Sequence, residues 1–326
     1  VVHSVTKSVT SALIGIALDK GYLQSVDQKL IEFFPEYVTD ESDPRKKEIS
    51  LKQLLTMSTG FRWNDRGPVM RDWYTSSNWV KFTLQLPQEN NPGDVFNYNS
   101  STSHLLSAIL TKSTKTSTLD FAKQNLFEPL GIQSAYWRQG PQGYYIGGFG
   151  LGLTARDLAK IGFLYLNNGN WNGQSIVSEY WVKASTAQQI QAVRHPIYGR
   201  FGYGYQWWVK KVDGCSSFRA WGRRGQFIVI VPELDLVIAV TSDVRLPHPP
   251  TSIHYSPLFD LVAAAVQRER PPKKPLIAVE LPPDVNAFIT DYDQARQNKN
   301  LVTMANLISD QFLYDGVTKQ MALRFL

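Results

Sequence analysis

Cysteine is nearly absent: Cys215 stands alone in 326 residues. One thiol excludes an intrachain disulfide framework and any multi-cysteine metal site, although it does not fix the cellular compartment. As a nucleophile Cys215 has little behind it, because "VDGCSSFR" looks like a turn between strands and no histidine lies near it in sequence. Long apolar runs are also missing. No window approaches the roughly 18 consecutive apolar residues that a membrane span needs, and no start methionine or charged segment introduces an apolar signal region. The visible chain is expected to be soluble, with no membrane span.

What is present is ordinary globular material. Hydrophobic residues make up 43% and charged residues 19% of the chain, enough for a large core in one or two domains. The formal net charge of +6 raises the question of a polyanionic partner. The cations are scattered, however, and the densest clusters, "PRKK" at Pro44–Lys47 and "PPKK" at Pro271–Lys274, lie in proline-marked loops. Solvated loop charge is the better reading, and no nucleic-acid partner is expected.

Helical and strand-like patterns alternate without a repeat period. Val5 to Lys20 is apolar on more than one face and stops at Gly21, which predicts a central buried helix closed by a glycine. A polar, loop-rich region follows to about Asn97, with a helix at Leu51–Met57, and a second helix is expected at Ser103–Lys112. Thr154 and Asp157 form a capping box for a helix to about Asn167. From Tyr203 the period shortens: "YGYQWWV", "FRAWG", "QFIVIV" and "LVIAVTS" read as antiparallel strands, the last pair joined at Pro232–Asp235. Ser256 and Pro257 then open "SPLFDLVAAAVQR", a helix expected to cover the sheet. The proline-dense 269–283 reads as a linker, and 284–326 repeats apolar residues at helical spacing.

One lysine is out of place in this pattern. Ser4 and Lys7 are three residues apart at the mouth of the buried helix and so share a face. A serine in the first helical turn keeps its own N–H free to bind an oxyanion. Burial would lower the pKa of Lys7 toward a range where it accepts the serine proton. The alternative is a surface lysine at a frayed end, and a bare Ser-x-x-Lys is weak by itself. Two further stretches strengthen it. "PGDVFNYNSSTSHLLSAIL" sets Tyr98 and Ser100 on a turn before a helix, from which a phenol can pass a proton within a cleft. "AWGRRGQFIVIV" sets Gly222 and Gly225 at the head of a hairpin strand, where substrate can lie against backbone amides.

These blocks, "SVTKS", "NYNSS", "GGFGLGLTARDLAKIGFLYLNNGNWNG", "YGYQWW" and "GRRGQFIVIVPELDLVIAVTS", resemble in order those of the serine beta-lactamase and penicillin-binding-protein-like superfamily, in its class C, esterase and 6-aminohexanoate-dimer hydrolase branch. The resemblance covers about His3 to Arg268. It implies an α+β fold: an antiparallel sheet flanked by helices beside a helical lobe, with an acyl-enzyme mechanism at the cleft and no metal or organic cofactor. It further implies Ser4 as nucleophile, Lys7 as its base and Tyr98 as proton shuttle. Ser100 would bond Lys7 or substrate, and the N–H groups of Ser4 and Arg223, beside Gly222, would form the oxyanion hole.

Two departures bear on substrate. Where relatives that act on β-lactams carry a cationic Lys-Thr-Gly, this chain has Ala220, Trp221 and Gly222. Esters or small amides are therefore expected ahead of β-lactams or cell-wall peptides, with Trp221, Trp207 and Trp208 either lining an apolar pocket or packing in the core. Relatives also carry about fifty residues ahead of the nucleophile, including strands that complete the sheet, so an open sheet edge is expected unless something replaces them. Export is favoured by family habit alone, and the oligomeric state is not legible. The segment 284–326 loosely resembles the first helices of an NTF2-like domain; an amphipathic appendage is the alternative. A catalytically idle, ligand-binding relative stays open as a second functional class.

Overall fold

The computed structural model describes residues 1–269 apart from Asp40, Ser134, 196–198 and 243–254; the linker expected up to 283 and the helical pattern expected at 284–326 fall beyond Glu269, outside the described residues. At the centre is α1 (Val5–Asp19), buried at every position from Val5 to Ala17. It ends where Gly21 takes a φ of +74° and the N–H of Tyr22 donates to the Ala17 carbonyl, the glycine-dependent stop that the sequence suggested.

A helical lobe follows: α2 (Leu30–Phe33), α3 (Leu51–Leu55), α4 (Pro68–Thr75), α5 (Trp79–Leu84), α6 (Ser100–Thr114) and α7 (Thr118–Ala122). The pair β1 (Tyr136–Trp137) and β2 (Leu151–Gly152) leads to α8 (Ala155–Leu166), the small hairpin β3 (Asn170–Trp171) and β4 (Gln174–Ser175), and α9 (Glu179–Thr186). Then comes the main sheet of β5 (Ile190–His195), β6 (Gly199–Tyr203), β7 (Trp208–Val209), β8 (Phe218–Gly222), β9 (Gln226–Val231) and β10 (Leu236–Val240), closed by α10 (Tyr255–Glu269).

The sheet is antiparallel throughout, in the order β10-β9-β8-β7-β6-β5. Period-2 alternation sorts its side chains. Phe218, Ala220, Ile228 and Ile230 join the core formed with α1 and α8, whereas Phe227, Val229 and Val231 pack on Phe259 and Ala263 of α10. The expected α+β architecture, a sheet flanked by helices with a helical lobe beside it, is what the chain adopts. No strand pairs with the outer edge of β10 among the described residues, and all five of its residues are half-buried.

Several boundaries differ from the sequence reading. Among the described residues the loop-rich region before Asn97 holds four short α-helices and a 3-10 helix at Pro44–Glu48, not one helix; Pro68 at the first position of α4 and the Asn78 cap of α5, for example, start helices too brief to show a period. Helix α6 begins three residues early: the Asn99 side chain accepts from the N–H groups of Ser101 and Thr102, so Ser100 is the first helical residue. "YGYQWWV" is not one strand. Tyr203 ends β6, Trp208 starts β7, and between them Gln206 is buried at a φ of +64°. Its amide donates to the carbonyls of Leu54 and Leu55 at 3.1 and 2.9 Å and accepts from Ser103 Oγ at 2.9 Å. Its main-chain carbonyl accepts from Ser8 Oγ at 2.7 Å. One residue thus ties α3, α6 and α1 to the sheet.

Candidate active site

The head of α1 is shaped by its approach. His3 takes a φ of +47°, turning the chain from Val2 into the helix. Ser4 caps the helix half-exposed, and Lys7, one turn on, is 1% exposed. The Lys7 ammonium reaches three oxygens: Ser4 Oγ at 3.2 Å, Ser100 Oγ at 3.0 Å and the Gly148 carbonyl at 2.8 Å. Burial outweighs the nearby charge of Asp65 and brings the Lys7 pKa down to about 8. The amine is therefore close to the balance between donor and base at neutral pH.

The half-buried ring of Tyr98 lies 4.8 Å from Lys7 Nζ. It stacks on Trp208 at 5.6 Å between centroids and 21° between planes. Burial, helped by Asp65, pushes its phenol well above the ordinary range, with the Ser4 side chain opposing the shift, so the phenol keeps its proton. Ser4, Lys7, Tyr98 and Ser100 therefore converge on one spot.

The β8–β9 hairpin supplies the opposite wall. Arg223, Arg224 and Gly225 form its turn, and positive φ values of 64° at Arg224 and 80° at Gly225 let so short a connection close. Packing alone requires glycine at 222: a Cβ there would strike the Val2 carbonyl, so only glycine lets β8 approach the backbone leading into Ser4. Among the described residues, the main-chain N–H groups of Ser4 and Arg223 have no hydrogen-bond acceptor. The Arg223 and Arg224 side chains are exposed.

The tryptophans divide. Trp207 is fully buried against Tyr165 and Phe218 and is core. Trp208 and Trp221 are half-buried, 5.7 Å apart, and continue from Tyr98 along the other face of the sheet. Ala220 points into the α1 core and brings no cation.

Two groups at Lys7 were not foreseen. Gly148 offers its carbonyl from the loop before β2, where a side chain would crowd both Ser100 and Lys7 Nζ. Asp65 accepts from the Ser100 N–H at 2.9 Å, the Ser100 hydroxyl at 2.6 Å and Trp63 Nε1. Nothing local marks Asp65 in "RWNDRG", a polar loop stretch whose partner lies 35 positions on.

A helical lobe set against an antiparallel sheet, with Ser-x-x-Lys opening the central helix, defines the β-lactamase/transpeptidase class of fold. The chain itself belongs to the Beta-lactamase family, whose model matches residues 1–256. It is similar to the 6-aminohexanoate-dimer hydrolase of Paenarthrobacter ureafaciens, 24% identical over 260 residues, covering 73% of this chain and 64% of that protein. It therefore spans a little under two thirds of that relative's length. Among solved structures, a Bacillus anthracis protein provisionally described as a 6-aminohexanoate-dimer hydrolase superposes with a TM-score of 0.67 at 22% identity, over 82% of this chain and 72% of that one. A family VIII carboxylesterase gives 0.59 at 17% identity, over 81% and 82%.

Proposed function

We propose that residues 1–268 form a serine hydrolase that passes through an acyl-enzyme on Ser4 and cleaves small esters or amides. The observation that carries this is the half-exposed Ser4 hydroxyl 3.2 Å from a lysine that is itself 1% exposed. Neutral Lys7 takes the Ser4 proton as Oγ bonds to the substrate carbonyl carbon. The charge moving onto the carbonyl oxygen meets the unpaired N–H groups of Ser4 and Arg223, each such donor contributing about 3 kcal/mol to the transition state. Tyr98 gives its proton to the departing alcohol or amine and regains one from the Lys7 ammonium. Water then attacks the acyl group, its proton passing to Tyr98 and Lys7, and Ser4 leaves with its proton restored.

A relative named as a 6-aminohexanoate-dimer hydrolase and a structural neighbour named as a carboxylesterase are in keeping with this reading. Ester and small-amide substrates rank above β-lactams because Ala220 and Gly222 on β8 bring no cation to a substrate carboxylate. The test is a fluorophosphonate probe with a panel of p-nitrophenyl esters and nitrocefin. Wild type is expected to be labelled and to hydrolyse the esters faster than nitrocefin, and Ser4→Ala to do neither. Failure of every acylating probe on a folded chain would assign the groove to ligand binding without turnover.

A further inference from the structure

The hydrogen bonds around Lys7 carry a direction. A neutral lysine amine has two N–H groups and one lone pair. Three oxygens surround it, and two of them are closed to the lone pair. The Gly148 carbonyl at 2.8 Å can only accept. Ser100 Oγ, at 3.0 Å, has one proton, and that proton is donated to Asp65 at 2.6 Å. Asp65 takes donors from every neighbour it touches, the Ser100 N–H and Trp63 Nε1 included, and so has none to return. Both amine N–H groups are thereby assigned to Gly148 and Ser100, and the lone pair is left facing the Ser4 hydroxyl.

We infer that Asp65 is a positioning residue: by fixing the Ser100 hydroxyl as an acceptor toward Lys7, it aims the lysine lone pair at Ser4. This rests on the Ser4 acyl-enzyme reading above. The proton then moves from Ser4 Oγ to Nζ as Oγ bonds to the carbonyl carbon, and the carbonyl π pair goes to its oxygen. The resulting ammonium has three N–H groups for three oxygens, so nothing around it has to turn.

The arrangement predicts an unusual order of defects. In Asp65→Asn the new amide can donate to Ser100 Oγ, which frees the Ser100 proton to occupy the Lys7 lone pair. In Ser100→Ala the lone pair is merely less constrained. Fluorophosphonate labelling should therefore be about 100-fold slower than wild type in Asp65→Asn and about tenfold slower in Ser100→Ala. The double variant should return to the Ser100→Ala rate, because the misdirected proton is gone. The pH profile gives a second readout. The ionisable side chains facing Lys7 are Asp65 and Tyr98, and of these the Asp65 charge raises the Lys7 pKa. Losing it should move the acid limb of Asp65→Asn to lower pH even as the plateau falls.

An Asp65→Asn rate no slower than that of Ser100→Ala, a double variant as slow as Asp65→Asn, or an acid limb that stays put would overturn the inference. A loss of the thermal unfolding transition in Asp65→Asn would overturn it too, by assigning the carboxylate to the fold. The underlying reading fails separately, and only if wild type is not labelled or Ser4→Ala is labelled as fast.

Discussion

Two buried cations lie on opposite faces of one sheet. Lys7, on the α1 side, spends every donor on an oxygen. Arg219, on β8, is 2% exposed beneath α10; its guanidinium sits 5.8 Å from the Phe201 ring and 5.6 Å from the Phe259 ring, and its Nε finds no acceptor. Burial lowers both, Lys7 to about 8 and Arg219 only to about 10, where Asp260 offsets part of the cost. The lysine reaches a range in which it can lose its proton in neutral water. The arginine does not, and aromatic faces hold it as a permanent charge. On the proposed mechanism the same burial suits one to act as a base and leaves the other a packing element, with side-chain chemistry deciding which.

Exchanging the chemistry of the first site should break the contrast most severely. Lys7→Arg keeps the charge and loses the base, so labelling of Ser4 should fall by about 1000-fold or more, as far as in Lys7→Met. An Lys7→Arg variant within tenfold of wild type would mean that charge alone suffices. Next in size is pH. The reacting form is neutral Lys7, so labelling should rise with pH through about 8, with the rate at pH 6 roughly 100-fold below its plateau. A flat profile from pH 6 to 9 would remove Lys7 as the base.

Stability should separate the cations as well. Lys7 sits below its unfolded value of 10.5, so between about pH 8 and 10.5 the unfolded chain binds more protons and this group's contribution rises with pH. Below pH 8 the buried ammonium costs about 3 kcal/mol, and Lys7→Met should therefore melt no lower than wild type at pH 7. Arg219 keeps its charge throughout this range, and the phenols of Tyr98, Tyr165 and Tyr203, all held up by burial, act in the opposite sense to Lys7 only above about pH 10. Urea unfolding at pH 8 and 9.5 compared with Lys7→Met isolates the lysine. The smallest expected effect on activity is at the second site: Arg219→Ala should stay within twofold of wild type in labelling while losing about 2–4 kcal/mol of stability through the space opened between two rings. A tenfold fall in labelling would show that the two faces of the sheet are coupled.

The parts of this molecule that could be read from sequence are those whose physics is local. Helix α1 is apolar on more than one face and stops at Gly21; β9 and β10 are short apolar runs rich in β-branched residues that turn at Pro232–Asp235; Ser4 and Lys7 are one helical turn apart. Strands β5 and β6 are not legible because "IQAVRH" and "GRFGY" mix charge and glycine into extended chain; they pair with each other through an irregular register, and only β6 is tied to the rest of the sheet, through β7. The start of α6 was misplaced since "NSSTS" offers several capping residues in a row, and only the folded chain picks Asn99. Asp65 and Gly148 left no trace because each acts through a group many residues away. The packing demand on Gly222 also left no local trace, because the Val2 carbonyl that excludes a Cβ there lies at the other end of the chain.

Gln206 has a consequence for the range of molecules the groove can admit. Its amide grips α3 and α6 while its main-chain carbonyl grips α1, so parting these helices from the sheet to widen the groove would break four hydrogen bonds at one residue. If the groove takes substrate as proposed, differences in girth fall to the half-buried rings of Trp208 and Trp221 at its rim, not to a parting of the helices from the sheet.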